Sequence, residues 1–179
     1  MTEIENFKKQ RADENIIMIN DDNLRKLALD FLCESSKYNY SYNFDWLGIP
    51  IIQYPQDIVS FQEIVWKVKP DLIIELGIAR GGSLIYSASL LALIEICENG
   101  SFCLKAKKDN RRKVIGVDID IREHNKIELL KHPLSKNIEM IEGSSLDINV
   151  INKVKKLSLE FKNVLICLDS NHTHFHVLE

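Results

Sequence analysis

The chain has 179 residues and a formal net charge of −3, with 45% hydrophobic and 27% charged residues. This composition is typical of a globular domain and argues against disordered and fibrous classes. The acidic balance disfavours nucleic-acid binding, because no basic field covers the chain as a whole. The longest apolar stretch, 84–97, is broken by Ser and Glu and is shorter than the ~20 residues of a membrane span, so we predict none.

The N-terminus and the cysteines both favour a cytoplasmic protein. The first ten residues mix acidic and basic side chains, and the apolar segment of a secretory signal does not follow them. The four cysteines lack the CxxC spacing of a zinc site. We predict reduced thiols, with a disulfide between Cys97 and Cys103 as the less favoured alternative.

Residues 1–55 are predicted to form an N-terminal part with one helix and one extended segment. Residues 1–20 show no clean hydrophobic period, whereas apolar residues at three-four spacing after an Asp pair predict a helix near 22–36. Aromatic residues alternate over 38–46, which predicts an extended segment that ends before Pro50. Core packing is the favoured role of this aromatic face, and stacking on a sugar or covering a cofactor is the alternative.

Residues 56–179 are predicted to alternate between helices and short strands rich in β-branched residues. Strands are expected at 71–77, 113–119, 137–143 and 163–169, and helices at 56–69, 83–97, 123–131 and 147–161. This alternation favours a parallel sheet with right-handed crossovers, and hence an α/β, Rossmann-like domain. The basic stretch 98–113 is predicted to be a solvated loop, with contact to an anionic partner as the less favoured alternative.

The last predicted strand, 163–169, would lie at an edge of such a sheet. Complete proteins normally protect an apolar edge strand, because its unpaired backbone groups recruit other chains. We therefore expect that further C-terminal strands are missing from this chain, or that a partner completes the sheet. Homo-oligomer formation through this edge is one such possibility.

The sharpest signal for a binding site is the stretch 73–83, IIELGIARGGS, where a buried strand runs into a glycine-rich turn and a helix. Glycines let a backbone approach a ligand closely, and the N–H groups of a helix start attract an anion. The spacing ExGxxxGGS departs from GxGxxG, which disfavours a dinucleotide. Glu75 would repel a pyrophosphate but suits an ammonium group. S-adenosylmethionine carries both an ammonium and a carboxylate, so we predict that it binds here.

Polar residues also follow the next two strands. Asp118 stands where doubly wound nucleotide sites place an acid for the ribose hydroxyls, and Asp120 is the alternative. Ser145 lies where contact with adenine is expected. An equally favoured interpretation is that Ser145 or Asp147 caps the following helix.

The fourth strand ends at Asp169, and three histidines follow at alternate positions. A carboxylate at the end of a buried strand is costly unless a cation or hydrogen bonds meet it, so Asp169 is a candidate ligand of Mg²⁺ or Ca²⁺. If the histidine run were extended it would suit zinc, but we favour a helix that places His172 and His176 on one face. His172 is then a candidate base, and an ordinary polar histidine is an equally favoured interpretation.

These motifs, in this order, resemble the cephalosporin hydroxylase and rhamnosyl O-methyltransferase family of Rossmann-like methyltransferases. The matching stretches are FDWLGIPIIQYPQD, KPDLIIELGIARGGSLIYSASLL, VIGVDID, IEGSSLD and LDSNHTHFHVLE. The resemblance implies a class I methyltransferase fold, with S-adenosylmethionine and a magnesium-type cation as cofactors. It also implies methyl transfer to a sugar hydroxyl of a polysaccharide, glycolipid or glycosylated metabolite.

The resemblance also implies roles for single residues. By the resemblance, the cofactor-binding residues are Glu75, Gly77, Ser83, Asp118 and Ser145, and the metal ligand is Asp169. The residue pattern itself adds Ala79 and Gly81 of the glycine-rich turn to the predicted cofactor-binding set, and His172 as the predicted catalytic residue. Family members continue into further strands that supply more acidic metal ligands. The alternative function is therefore a truncated, non-catalytic cofactor-binding or interaction module, and a nicotinamide-dependent oxidoreductase ranks third because GxGxxG is missing.

Overall fold

The computed structural model describes residues 1–100 and 112–178, which belong to two compact units, Met1–Tyr40 and Ser41–Glu179. Most of the predicted basic loop lies outside the described residues, as does Cys103 of the alternative disulfide. Within the described residues, no helix combines the length and the apolar character needed to cross a membrane.

The first unit contains two helices, α1 (Glu3–Ile19) and α2 (Asp22–Ser36), and neither contains a buried residue. α2 has the predicted bounds, whereas α1 was not predicted because its apolar residues do not follow a one-sided period. A readable signal was nevertheless present, since Thr2 and Glu5 form a capping box in which each side chain accepts the other residue's backbone N–H.

The second unit begins with a hairpin, and the prediction of one extended segment over 38–46 is wrong. A 3₁₀ turn spans Tyr40–Tyr42, and only β1 (Phe44–Trp46) is extended. β1 pairs antiparallel with β2 (Ile49–Ile51), so the proline expected to end the segment lies inside a strand. Leu47 and Gly48 connect the strands with φ of 49° and 86°, a pair of left-handed residues that matches the twist of a tight hairpin.

Helices and parallel strands then alternate as predicted. They are α3 (Pro55–Val68), β3 (Leu72–Leu76), α4 (Gly82–Asn99), β4 (Lys113–Asp118), α5 (Glu123–Lys131), β5 (Ile138–Glu142), α6 (Ile148–Ser158), β6 (Val164–Leu168) and α7 (His174–Leu178). The four parallel strands form a sheet in the order β5-β4-β3-β6, and each strand begins and ends within one residue of its predicted bounds. The α/β, Rossmann-like prediction is confirmed.

The sheet is buried at its centre and exposed at β6. Ile115, Ile74 and Ile166 are aligned across β4, β3 and β6, and their exposed fractions are 1%, 3% and 57%. Within the described residues β6 pairs with β3 alone, so the predicted edge position of this strand is confirmed.

The hairpin belongs to the core of the second unit. Ile49 and Ile51 are buried in the cluster that contains α4, so the unit begins at residue 41, whereas the sequence analysis drew its boundary after residue 55. Trp46 packs edge-on against Tyr86 at 4.5 Å between ring centroids, and its indole N–H donates to Ser89 Oγ at 3.0 Å. The favoured core-packing role therefore holds for Phe44 and Trp46, which pack against this cluster, and not for the exposed Tyr38 and Tyr42.

Candidate functional site

The turn between β3 and α4 is glycine-rich because other parts of the protein pass close to it. Gly77 has φ of +104°, and a Cβ added there would lie 2.2 Å from the carbonyl oxygen of Asp169. A Cβ on Gly82 would lie 2.4 Å from the carbonyl oxygen of Pro50. The sequence analysis assigned the glycines to close approach of a ligand. At these two positions, however, the absence of a side chain leaves room for the backbone at the end of β6 and for the backbone of the hairpin.

Asp118 and Asn125 hold this turn in place. Asp118 Oδ2 accepts the backbone N–H groups of Ile78 (2.7 Å) and Ala79 (3.2 Å). The Asn125 side-chain amide donates to the carbonyl oxygen of Ala79 at 2.9 Å, and Asn125 is buried in α5. Asn125 was missed by the sequence analysis because only the fold shows that this amide is buried and bonded to the turn. The predicted ribose acid thus also shapes the turn.

A cavity of about 390 Å³, which we call the turn cavity, lies at the carboxyl ends of the four parallel strands. Seven of the nine predicted site residues line it: Gly77, Ala79, Gly81, Ser83, Asp118, Ser145 and Asp169. The alternative ribose acid, Asp120, does not line the cavity. The two other predicted residues, Glu75 and His172, do not line it either. The carboxyl-end position is where open α/β sheets bind their ligands.

Ser145 faces the turn cavity, and Asp147 caps α6. The Asp147 carboxylate accepts the backbone N–H of Asn149 at 2.7 Å, so the capping interpretation is confirmed for Asp147. Contact of Ser145 with adenine stays a prediction. Ser145 Oγ instead lies 3.2 Å from Nε2 of His176, a second cavity residue.

The histidine run is only partly helical. α7 begins at His174, so the expectation that His172 and His176 share a helical face is wrong. His176 lines the turn cavity, whereas His172 lies outside it with Nε2 3.6 Å from Asp169 Oδ1. The sequence analysis therefore named as catalytic the histidine that contacts the carboxylate, and missed the one that faces the cavity.

Asp169 is the carboxylate at the rim of the turn cavity on the β6 side. Gln53, from the segment after β2, donates a hydrogen bond to its Oδ2 at 3.1 Å. Partial burial raises the pKa of Asp169, while His172 and Gln53 lower it. Nothing in the sequence pattern pointed to Gln53, since only the fold brings it to the end of β6. Within residues 1–100 and 112–178, no group of three His, Cys, Asp or Glu side chains comes together to hold a metal.

A second cavity of about 390 Å³, which we call the edge cavity, lies beside β6 and is bordered by α3 and α4. Gln53, Ser83 and Asp169 line both cavities. Glu75 lines the edge cavity, is 3% exposed, and accepts a hydrogen bond from the Ser83 hydroxyl. Burial raises the pKa of Glu75 to about 8, with Ser83 opposing and Asp169 adding to this shift. Glu75 therefore faces the neighbouring cavity and not the one predicted for the cofactor.

A family model described as rhamnosyl O-methyltransferase/CmcI matches residues 38–179. The chain belongs to this family. The rhamnosyl O-methyltransferase of Mycobacterium tuberculosis (strain ATCC 25618 / H37Rv) is 28% identical over 134 residues, which cover 74% of this chain and 47% of that protein. The one from Mycobacterium leprae (strain TN) is 26% identical, covering 74% and 50%. The chain spans about half the length of the curated relatives it matches.

Solved structures of CmcI share the Rossmann-like fold. An apo structure of CmcI aligns with a TM-score of 0.52 and 22% identity, covering 76% of this chain and 50% of the other. A CmcI structure with Mg and SAM aligns with a TM-score of 0.53 and 20% identity, with the same coverage. The family resemblance drawn from the sequence motifs is confirmed.

Proposed function

We propose that the chain is the cofactor-binding part of an S-adenosylmethionine-dependent O-methyltransferase that acts on a sugar hydroxyl. The observation that carries this proposal is the gathering of seven predicted residues around the turn cavity. Membership of a family whose curated relatives are named rhamnosyl O-methyltransferases supports the reaction and the sugar acceptor.

The residues of the turn cavity fit S-adenosylmethionine. The first residues of α4 line the cavity, and the unpaired N–H groups of a helix start suit a carboxylate. Asp118 accepts two backbone N–H groups through Oδ2 and one through Oδ1, and a carboxylate has lone pairs left for a ribose hydroxyl. Ser145 and His176 offer polar atoms that suit an adenine ring. Glu75 is left out of this set because it faces the edge cavity.

Methyl transfer requires a donor, an oriented acceptor and a proton acceptor. S-adenosylmethionine, when bound, supplies an electrophilic methyl group, which the acceptor oxygen takes while the sulfur keeps the bonding electrons. His172, whose Nε2 lies 3.6 Å from Asp169 Oδ1, is the residue we propose to accept the hydroxyl proton. Gln53 fixes the Asp169 carboxylate by donating to it.

Asp169 is also the residue we propose to hold Mg²⁺. Magnesium sites often use one or two carboxylates, with the remaining ligands supplied by water and substrate oxygens. One rim carboxylate therefore fits a site that the acceptor helps to complete. A bound Mg²⁺ would supply Lewis-acid polarisation of the acceptor hydroxyl.

Calorimetric titration of the chain with S-adenosylmethionine tests the cofactor site. Asp118→Asn keeps an oxygen for the backbone N–H groups of the turn but removes the charge, so we expect about tenfold weaker binding. Asp120→Asn is the matched control, because the Asp120 side chain is 71% exposed and does not line the cavity. Equal affinity in both variants, or no binding by the folded chain, would contradict the proposal.

A cofactor-binding module without chemistry is the second candidate function. It is favoured by the single carboxylate that Asp169 contributes at the rim, since a weak metal site would leave the acceptor poorly activated. A methyl-transfer assay with labelled S-adenosylmethionine and phenyl α-rhamnoside, with and without Mg²⁺, separates the two. Turnover supports the transferase, and binding without turnover supports the module.

A further inference from the structure

The outer edge of β6 carries backbone groups that no strand pairs with in the part of the chain that the structure describes. On the inner edge, the backbone N–H of Asp169 donates to the carbonyl oxygen of Leu76 in β3. Along a strand, successive residues direct their N–H and C=O groups to opposite edges. The residues that alternate with Asp169 therefore direct both groups away from β3, and they are Val164, Ile166 and Leu168.

The two edge strands of the sheet differ in composition. Proteins normally protect an edge strand with charged residues, prolines or bulges, because its unpaired backbone groups recruit another chain. β5 carries Glu139 and Glu142, as this rule expects. β6 contains neither a charged residue nor a proline, and its three outward-directed residues are between 38% and 57% exposed. The edge of β6 is therefore open to pairing with another strand, and that of β5 is protected.

The sequence of β6 is complementary to itself in an antiparallel arrangement. When Ile166 faces Ile166 of a second copy, Val164 of each copy faces Leu168 of the other. All three positions direct their backbone groups to the shared edge, so every facing pair exchanges two N–H···O=C bonds. Facing side chains lie on the same side of a sheet, so apolar side chains meet apolar side chains. A register shifted by two residues would lose one of the three hydrogen-bonded pairs.

The residues that flank β6 fit the same register. Asn163 faces Asp169 of the second copy, so a neutral amide, and not another carboxylate, meets the rim carboxylate of the candidate site. Lys162 faces Ser170 of the second copy, so like charges do not oppose each other. Each copy thus contributes a polar residue beside the Asp169 carboxylate of the other.

We propose that β6 is a dimerisation edge, and that it pairs antiparallel with β6 of a second copy about a two-fold axis at Ile166. The two sheets then form one continuous sheet whose outer strands are the Glu-bearing β5 of each copy. Because a two-fold contact uses the same edge of both copies, assembly stops at the dimer. Pairing of this kind joins edges and leaves the faces of β6 uncovered. The inference does not depend on the proposed methyltransferase function.

Sedimentation equilibrium over a series of protein concentrations tests the dimer. The mass should rise with concentration from 20.7 kDa toward twice that value. Ile166→Lys places two ammonium groups opposite each other at the two-fold axis, and the dissociation constant should rise about tenfold or more. Leu130→Lys, on α5, is the matched control, because Leu130 is 58% exposed and Ile166 is 57% exposed. This control should keep the dissociation constant of the wild-type chain.

Amide hydrogen exchange followed by NMR tests the edge itself. The amides of Val164 and Leu168 should be protected in the dimer and exchange rapidly in Ile166→Lys. The amides of Leu165 and Cys167 are directed to β3 and should be protected in both, which also shows that the variant is folded. Packing through a side-chain surface elsewhere would not produce this alternation.

Four results would overturn the proposal. The first is a mass of 20.7 kDa at every concentration, and the second is equal weakening of the dimer by the two lysine variants. The third is a dimer in which the amides of Val164 and Leu168 stay unprotected, because its interface would lie on another surface. The fourth is protection of these amides in a chain that stays monomeric, because the edge would then be covered by the chain itself.

Discussion

The centre of the sheet and its edge contribute different halves of the candidate site. β3 and β4 end in a turn whose position is fixed by Asp118, by Asn125 and by the contact of Gly77 with Asp169. β6 carries Asp169 on a strand paired on one side within the described residues. The half that we propose for the cofactor is therefore built into the most buried part of the sheet, whereas the half that we propose for the acceptor lies at the end of its most exposed strand.

This difference separates residues that determine stability from residues that determine chemistry. The central turn is held by a hydrogen bond from the buried Asn125 amide and by its own backbone N–H groups, which donate to the strand-end carboxylate of Asp118. Asp169 is held by one hydrogen bond from Gln53 and lies near His172, which is 74% exposed. Changes that break these central contacts should destabilise the protein, and changes at the edge should leave its stability nearly unchanged.

Gly77→Ala is expected to have the largest effect. The new Cβ would lie 2.2 Å from a backbone oxygen at a φ of +104°, so the free energy of unfolding should fall by at least ~3 kcal/mol. Gly48→Ala is the control, because Gly48 also has a positive φ (86°) but nothing lies within 4 Å of an added Cβ. Urea denaturation measures both. Similar losses in the two variants would show that the contact with Asp169 does not constrain the turn.

The row of isoleucines across the sheet compares centre and edge directly. Ile74→Ala empties a buried position and should lower the free energy of unfolding by about 3 kcal/mol. Ile166→Ala changes the aligned position on β6, where the side chain is 57% exposed, and should cost less than about 1 kcal/mol. Urea denaturation of both variants, repeated over the same series of protein concentrations, measures the two costs. Equal costs would mean that β6 is covered in solution.

Glu75→Gln should produce a smaller, pH-dependent effect. Glu75 has an ordinary pKa of 4.5 when unfolded and about 8 when folded, so between these values the folded chain binds more protons. The free energy of unfolding of the wild-type chain therefore falls as the pH rises through this window. Removing the titration should make the variant gain roughly 2 kcal/mol over the wild type between pH 6 and pH 8.

The measurement for Glu75 is urea denaturation across that pH range. Glu63→Gln, on the exposed surface of α3, should run parallel to the wild type. A Glu75→Gln profile that is also parallel would contradict the assignment of a buried, protonated Glu75.

The strands and the carboxyl-end residues were predictable because they depend on local pattern. Short β-branched runs bounded by Gly, Asp or Asn place the strand ends within one residue, and parallel strands must bring those ends to one side. The helix α1 was missed because a capping box without a hydrophobic period is a weak signal. The hairpin was missed because Pro50 was interpreted as a stop, although a proline is tolerated in an edge strand.

Other features of the site depend on contacts between residues far apart in sequence. Gln53 meets Asp169 across 116 positions, and Asn125 meets Ala79 across 46, so no local pattern contains either pair. The cavity that Glu75 faces is likewise decided by the packing of α3 and α4 against β3 and β6. His176 was missed because the start of α7, at His174, sets which histidine faces the turn cavity.

The close packing of Gly77 against the backbone of Asp169 joins the two halves of the candidate site. The backbone N–H of Asp169 donates to the carbonyl oxygen of Leu76 at 2.8 Å, next to the position where a methyl group has no room. The spacing between the glycine turn and the rim carboxylate is therefore set by main-chain atoms and not by adjustable side chains. Residues around the rim can therefore change while the distance between the sides proposed for the methyl donor and for the acceptor stays the same.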